Sequence, residues 1–488
     1  MGSIKKQGIT NTIISYIGIS IGFLNLVILQ PFMLKPEELG LTRIIFSFTL
    51  LIGTLFPVGL NYLTVKFFPL FKNKANGHNG YFGLLLLLAL VGFLLISLIV
   101  FIARDTILEK YSGAPLFVEY FSFVFPISFC VGFTTVITGY CNALFKSSVP
   151  SFLNEVYLRC FTTIIVCLYF LKLITFPLFI TLYASSYAIQ LLVMLLYVKF
   201  LKALTLKINW SFFKSQPLRE IFRYTLLLAL AALASMGIRN IDVMLVGSYL
   251  SLDAVAVYSL GMVIGGLIEI PVNSLGRIAD SKISDAIQRG DMKMVGIVYN
   301  KSVKYLVLFG GILFVLLFAN VSDAIFFLPQ KYHEAKWVIL IIGFSAFINM
   351  ATGVNSSILY FSHKYVTATV LLFAMILISV VLNVCLIPRF GIEGSALATA
   401  IAMILYNVAK FYLIKKHFHL QPYDKSVIKL FFIILSCGLL VLILPYFENK
   451  VLSIAIRSIV LTSVFVSLIF GLKVFSVDEM RNFKKLSL

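Results

Sequence analysis

Apolar residues in this chain come in long, nearly unbroken runs, and charged residues gather in the gaps between them. A helix crossing a bilayer needs about 20 largely apolar residues, and about fourteen runs meet that length. The first seven are Thr10–Gln30, Thr42–Val65, Tyr81–Ala103, Leu116–Cys141, Val149–Leu171, Ile174–Val198 and Ile221–Gly247. The other seven are Leu252–Gly276, Ser302–Asn320, Ala335–Tyr360, Val366–Ile387, Gly394–Ile414, Val427–Tyr446 and Leu452–Leu472. None has the period-2 alternation of a transmembrane β-strand, so helices are expected throughout. The start, MGSIKKQGIT, leads into the first run without a small-residue cleavage site, and an uncleaved first helix is expected.

Charge in the gaps orients the chain. One set of connections carries Lys5, Lys6, Lys66, Lys72, Lys74, Lys146, three basic clusters (Lys199–Arg223, Arg277–Lys304 and Lys410–Lys429) and the terminal Lys484–Lys485. The other set is poor in bases and balanced by acids: Lys35 with Glu37 and Glu38, Arg104 with Asp105, Lys331 with Glu334. The positive-inside rule makes the first set cytoplasmic and puts both termini inside, a partition that requires an even number of spans. Within the basic set, Lys199–Arg223 carries Trp210, Phe212 and Phe213 among lysines, which reads either as a strip on the headgroups or as a solvated linker. Arg277–Lys301, with acids and bases at helical spacing, reads as a short surface helix.

Composition agrees with this class. Hydrophobic residues make up 60% of 488, charged residues only 12%, and the mean hydropathy is +1.01. A soluble protein of this length could not hide that much apolar surface. The net charge of +20 does not indicate nucleic acid, because the bases are dispersed among the connections. All six cysteines lie in apolar runs without metal-type spacing and read as packing residues.

The runs repeat at a spacing of roughly 215 residues, too long for a solenoid and right for two bundled halves. KPEELGLTRIIFSFTLLIGTLFPVGL opens the second run and SLDAVAVYSLGMVIGGLIEIPVNSL the eighth, with Pro57 and Pro271 at matched depth. Each proline removes a backbone hydrogen bond and is an expected hinge. The expected architecture is an all-α polytopic membrane protein. Residues 1–200 form a first six-helix lobe, 201–220 a cytoplasmic linker and 221–418 a second lobe. The lobes are related by a pseudo-two-fold along the membrane normal, and 419–488 add two further helices and a tail.

Catalytic constellations are not found. No Gly-rich loop precedes a Lys-Ser/Thr pair, so the chain carries no ATPase engine of that type. His417 and His419 read as part of a solvated basic end rather than a metal site, and no cofactor is expected. The informative residues are charges inside the runs, which usually face a partner or a cavity. Glu155 and Arg159 lie four apart, and Arg239 and Asp242 three apart, so each couple is either an internally neutralised pair or part of a cavity wall. Arg43 has no acid nearby in its own run beyond Glu38. Asn25, Gln30, Asn61, Asn142, Gln190, Asn273, Asn349, Asn355, Asn383 and Asn407 recur about once per run, as interhelical packing or as a sugar-accommodating wall.

Three stretches resemble a known family. Pro36-Glu37-Glu38-Leu39-Gly40-Leu41 resembles its turn after the first span. Ile241-Asp242-Val243-Met244-Leu245-Val246-Gly247, with Ala256-Val257-Tyr258-Ser259, resembles its segment around the seventh and eighth spans, with Ala256 where glycine is usual. Ile387-Pro388-Arg389-Phe390-Gly391-Ile392-Glu393-Gly394-Ser395-Ala396-Leu397-Ala398-Thr399 resembles its turn before the twelfth span. The family is the polysaccharide-transporter branch of the multidrug/oligosaccharidyl-lipid/polysaccharide exporter superfamily, which includes the O-antigen flippases. The resemblance implies two lobes around a central cavity, a bacterial cytoplasmic (inner) membrane, and alternating access that carries an undecaprenyl-pyrophosphate-linked oligosaccharide outward. It also implies membrane lipids and other polysaccharide-assembly proteins as partners.

Such a substrate wants cations for its pyrophosphate in a low-dielectric cavity, and arginine's planar fork suits phosphate. Arg43, Arg159 and Arg239 are therefore the expected phosphate-facing residues, Asp242 orients Arg239, and Asn25, Asn61 and Asn273 are expected in the cavity wall. A cation-coupled drug exporter would need acids in the first or seventh run; the first has none, and Asp242 is the only acid well inside the seventh. A peptidoglycan-precursor flippase would call for charges in the first run, and Thr10–Gln30 has none. A polytopic glycosyltransferase or acyltransferase would need a catalytic loop, which the short outer connections do not supply. The driving force is open among membrane potential, protons and sodium ions.

Overall fold

The computed structural model describes residues 2–57, 59–73, 76–214 and 240–475. Every regular element among them is helical, and twelve helices are long and apolar enough to cross a membrane. One of these, Tyr365–Phe418, has 54 residues, more than twice what a bilayer requires. It is interrupted at Gly391, where φ 58° and ψ −138° leave the helical region, three residues after Pro388. Its two arms are the expected runs Val366–Ile387 and Gly394–Ile414, so the described residues supply thirteen of the fourteen expected spans. The remaining one, Ile221–Gly247, lies largely outside the described residues; its end, residues 240–249, is described and mostly helical. By its internal contacts the chain divides into Met1–Ala256 and Val257–Leu488.

Several spans are interrupted, two of them beside a proline. The second span stops at Leu55 and resumes as Leu60–Phe71, with Pro57 and a left-handed Gly59 (φ 71°) between. Phe56, fully buried against Phe93 and Phe133, pins that break. The eighth span runs from Leu252 to Gly266, passes a 3₁₀ turn at Leu267–Glu269, and continues as Ile270–Gln288 with Pro271 in its first turn. Both prolines thus sit at helix interruptions. Two π-helical segments, Leu24–Leu29 in the first span and Leu153–Tyr157 in the fifth, have no comparable sequence marker.

Three expectations are corrected. Arg277–Lys301 is no separate surface helix: Ile270–Gln288 and Met292–Ile325 extend through it, broken only around Gly290 and capped by Asp291, which accepts from the Met294 amide at 2.9 Å. Charged residues end the apolar run without ending the helix. The segment after the sixth span is not a free linker in its first part, and its Trp210 stays exposed. The Gly83 amide donates to Thr205 O and the Asn209 amide to Asn79 O, and Phe213 packs on Phe71 and Tyr81. Lys410, grouped by sequence with the cytoplasmic bases, is only 2% exposed.

The last span is held to the helix Met292–Ile325 by a buried acid. Asp323, at the end of Met292–Ile325, accepts from Ser453 at 2.6 Å and pairs with Lys450 at 3.2 Å. Arg457 lies 3.8 Å from the same carboxylate and 3.9 Å from the Tyr446 ring centroid.

Gly391→Ala isolates the backbone requirement of the long helix's turn, because a Cβ there meets nothing within 4 Å yet φ is positive. The expected cost is about 1–3 kcal/mol, read as a lower thermal midpoint in detergent. Gly438→Ala, in open space inside Lys425–Ile443, should instead be neutral or stabilising.

Candidate functional site

The site is built where the first and fifth spans, each with a π-helical segment, pack together. A π turn inserts one residue into the ladder and re-aims the side chains around it, which is why such turns gather at functional sites. In the first span it carries Asn25, 3% exposed, whose Nδ2 donates to the Arg159 carbonyl at 3.5 Å. In the fifth it carries Asn154 and Glu155, and Arg159 follows on the next turn. The Glu155–Arg159 pair predicted from spacing is formed, with Nη1 to Oε2 at 3.0 Å.

Arg159 lies across the first span over two glycines. A Cβ on Gly18 would stand 2.6 Å from Arg159 Nη1 and 2.6 Å from the Glu155 carbonyl, and one on Gly22 would stand 3.0 Å from Arg159 Nε. Only residues without a side chain leave room for the guanidinium there. Arg43 reaches the same space from the second span, donating through Nη2 to Gln30 Oε1 at 2.5 Å. Gln30 is buried just before Pro31. The sixth span adds Tyr183 and Tyr187, one turn apart with hydroxyls 3.1 Å from each other, and Gln190, which donates to Asn154 Oδ1 at 2.7 Å.

These side chains, Gln190 and Glu155 excepted, line a cavity of about 310 Å³ within the first unit, together with Gly22, Leu26, Leu34, Thr42, Phe46, Leu158, Thr162 and Phe179. The volume is at the low end for ligand pockets. Two guanidiniums, three side-chain amides and a hydroxyl pair line it, and no carboxylate is among the lining residues. Asn25 Oδ1 is buried without a hydrogen-bond partner. The arrangement offers charge-assisted donors together with amide and hydroxyl groups, which fits a compact anion carrying hydroxyl or amide groups of its own.

Of the residues singled out by sequence, Asn25, Arg43 and Arg159 are brought together. Asn61 is not; it sits after the Pro57 break, where a Cβ on Gly139 would come within 2.6 Å of its Cα. Asp242 is fully buried, engages neighbouring groups, and does not line this cavity. Arg239 lies outside the described residues. Asn273 lies on the helix Ile270–Gln288 in the second unit, with its side chain outside the description. Asn154, Tyr183 and Tyr187 are cavity residues that the sequence reading misses. The available signal is the four-residue spacing of two tyrosines in an otherwise apolar run, and an asparagine beside an ion pair.

The comparisons bear on this arrangement. A family model described as polysaccharide biosynthesis protein matches residues 4–279, more than half of the chain. The chain belongs to that family. A second model, MatE, matches residues 228–385. A curated relative, an uncharacterized membrane protein of Methanocaldococcus jannaschii, is 23% identical over 274 residues. The match covers 55% of this chain and 54% of the relative, so it spans about half the length of that protein.

Solved structures share the fold. The lipid II flippase MurJ in an inward closed conformation superposes with a TM-score of 0.74 at 14% identity, covering 96% of this chain and 99% of that one. An inward-facing multidrug transporter of the MATE family, in the same superfamily, gives 0.65 at 14% identity, covering 83% and 98%. A superfamily transporter from Pyrococcus furiosus, described as having a binding pocket of reverse polarity, gives 0.56 at 15% identity, covering 85% and 96%. This member of the polysaccharide biosynthesis family is therefore a multi-pass membrane protein with the fold of those transporters.

The stretches that carry the family resemblance have local physical roles. Pro36 occupies the first turn of the second span, and Glu38 accepts from the Lys35 amide at 3.0 Å and from Tyr169 Oη at 2.6 Å. Beyond the Gly391 turn, Ser395 donates to Asn383 Oδ1 at 2.7 Å and ties the two arms of the long helix together.

Gly18→Val should displace Arg159 and part the first span from the fifth. The expected result is a lower thermal midpoint than the wild type in detergent, with Gly8→Val, where a Cβ meets nothing within 4 Å, close to unchanged. Equal midpoints for the two variants would refute the packing role of Gly18.

Proposed function

We propose that this protein exports a lipid-linked saccharide, an undecaprenyl-pyrophosphate-linked oligosaccharide of the O-antigen, capsule or exopolysaccharide class. On this reading it works by alternating access in a bacterial cytoplasmic membrane, with both termini inside. It makes and breaks no bonds in its cargo; its chemistry is binding and release. The observation that carries the reading is the convergence of Arg43 and Arg159, from separate spans, on one cavity with Asn25, Gln30, Asn154 and the Tyr183–Tyr187 pair.

Arg43 and Arg159 would take the phosphate oxygens, Arg43 giving up Gln30 and Arg159 sharing itself between Glu155 and the ligand. In a low-dielectric site such charge-assisted contacts are stronger than in water. The amides and tyrosine hydroxyls would take sugar hydroxyls, with the unpartnered Asn25 Oδ1 as an acceptor. Arg239 and Asp242, Asn61 and Asn273 remain proposed cavity residues, and the breaks at Pro57 and Pro271 proposed hinges. A drug-exporter reading is disfavoured, because a cationic drug would meet two guanidiniums and no carboxylate among the lining residues. A peptidoglycan-precursor flippase is the second reading, supported by the fold shared with MurJ across nearly the whole chain.

Removing one charge-assisted contact costs about 1.5–3 kcal/mol, roughly tenfold or more in binding. Arg43→Ala and Arg159→Ala are each expected to reduce surface glycan by at least that factor while the protein still reaches the membrane at wild-type level. Wild-type glycan in both variants would sink the assignment. Rescue of cells depleted of their lipid II flippase, with no effect on other surface glycans, would move the reading to the peptidoglycan precursor.

A further inference from the structure

The second unit contains a buried ammonium joined to a carboxylate by an unbroken line of hydrogen bonds. Lys410, on the second arm of Tyr365–Phe418, is 2% exposed, and its Nζ donates to Ser356 Oγ at 3.0 Å and lies 4.0 Å from the Tyr406 ring centroid. Ser356 donates to Asn355 Oδ1 at 3.4 Å, Asn355 Nδ2 to Asn407 Oδ1 at 3.4 Å, and Asn407 Nδ2 to Asn349 Oδ1 at 3.2 Å. Asn349 Nδ2 then donates to Glu269 Oε1 at 3.0 Å. Thr352 donates to Asn407 Oδ1 at 3.0 Å and steadies the middle of the line.

Every link donates in the same direction. The dipoles therefore add, with their negative ends toward Lys410 and their positive ends toward Glu269, and hydrogen bonds in such a line polarise one another. The line joins four helices of this unit: the interrupted eighth span, the end of Gln330–Ala351, the short helix Asn355–Phe361 and the twelfth span. Asparagine amides hold this polarity but do not pass protons along, so the line bridges two charges without conducting between them. Glu269 ends the 3₁₀ turn two residues before Pro271, at the interruption of the eighth span. Ionisable groups at this depth characteristically mark proton relays or ion paths.

We propose that Lys410 is a proton-exchange site of the transport cycle, with Glu269 as its counter-charge across the amide bridge. One N–H bond of the ammonium breaks, the proton leaves to water, and a neutral amine remains; rebinding restores the ammonium. With the ammonium the two ends of the line carry opposite charges, and without it only the carboxylate end is charged. Each exchange thus changes the electrostatic hold of the twelfth span on the interrupted eighth. Because Lys410 is buried in this conformation, exchange requires movement, which is how proton and conformation become coupled. Among the described residues, the titratable groups nearby include Tyr406 on its own helix, Tyr360 on Asn355–Phe361, Asp280, which accepts from Ser357, and Tyr423, whose ring packs on Phe411. Arg277, on the helix that follows Glu269, has its side chain outside the description. The proposal rests on the protein being a transporter, and not on a saccharide cargo.

The test uses the full chain in proteoliposomes on a solid-supported membrane, with pH jumps as the only stimulus. Wild type should give a transient charge displacement that titrates with one midpoint. Lys410→Met and Lys410→Arg should both lose it, the second while keeping a permanent positive charge and hence the fold, as checked by monodispersity and thermal midpoint. Glu269→Gln should keep the transient and shift its midpoint. A wild type without a transient, or Lys410→Arg with the wild-type transient, would overturn the proposal. No saccharide enters the measurement, so a failed glycan assay of the arginine variants leaves this result standing, and a failed proton assay leaves that one standing.

Discussion

Hydrocarbon offers no hydrogen bonds, so every polar group carried into the membrane needs a partner within the protein. This constraint governs where the chain can depart from a plain helix. The first and fifth spans depart at π-helical segments, and there Asn25 and Asn154 find Arg159 O and Gln190. The second span departs at Pro57 and the eighth at Leu267–Glu269, where Glu269 meets Asn349. The long helix turns at Gly391, with Asn383 and Ser395 closing the gap. Polar residues and helix interruptions occur together because each makes the other affordable.

The two units use that constraint for different ends. In the first, polar groups converge on an open volume. Arg43 and Arg159 are engaged by Gln30 and Glu155, and Asn25 keeps a spare acceptor. In the second, the polar groups are spent on one another. Asp323 gathers Ser453, Lys450 and Arg457 to fasten the last span, and the Lys410–Glu269 line runs through Asn349, Asn355 and Asn407.

Glycine placement follows the same economy. Gly18 and Gly22 clear a bed for the Arg159 guanidinium, and Gly40 lets the second span approach Leu252, whose carbonyl would stand 1.9 Å from an added Cβ. Interhelical contact in a membrane is driven by close packing and hydrogen bonds rather than by expulsion of water, so small residues mark the tightest approaches.

Run length and loop charge alone determined the helical class, the spans among the described residues and the location of two interruptions, because bilayer thickness and proline chemistry are local constraints. The Glu155–Arg159 pair was legible for the same reason: spacing within one helix sets it. What the tertiary structure decided is which polar residues meet. Asn25, Arg43 and Arg159 converge while Asn61 does not, and Tyr183 with Tyr187 joins them, because the π turns and the Gly18–Gly22 bed rotate side chains in ways no periodicity records. Lys410 looked like one more cytoplasmic base at the end of an apolar run. Only the packing of four helices around it, and the common direction of the hydrogen bonds they bring, made it a buried charge with a distant partner.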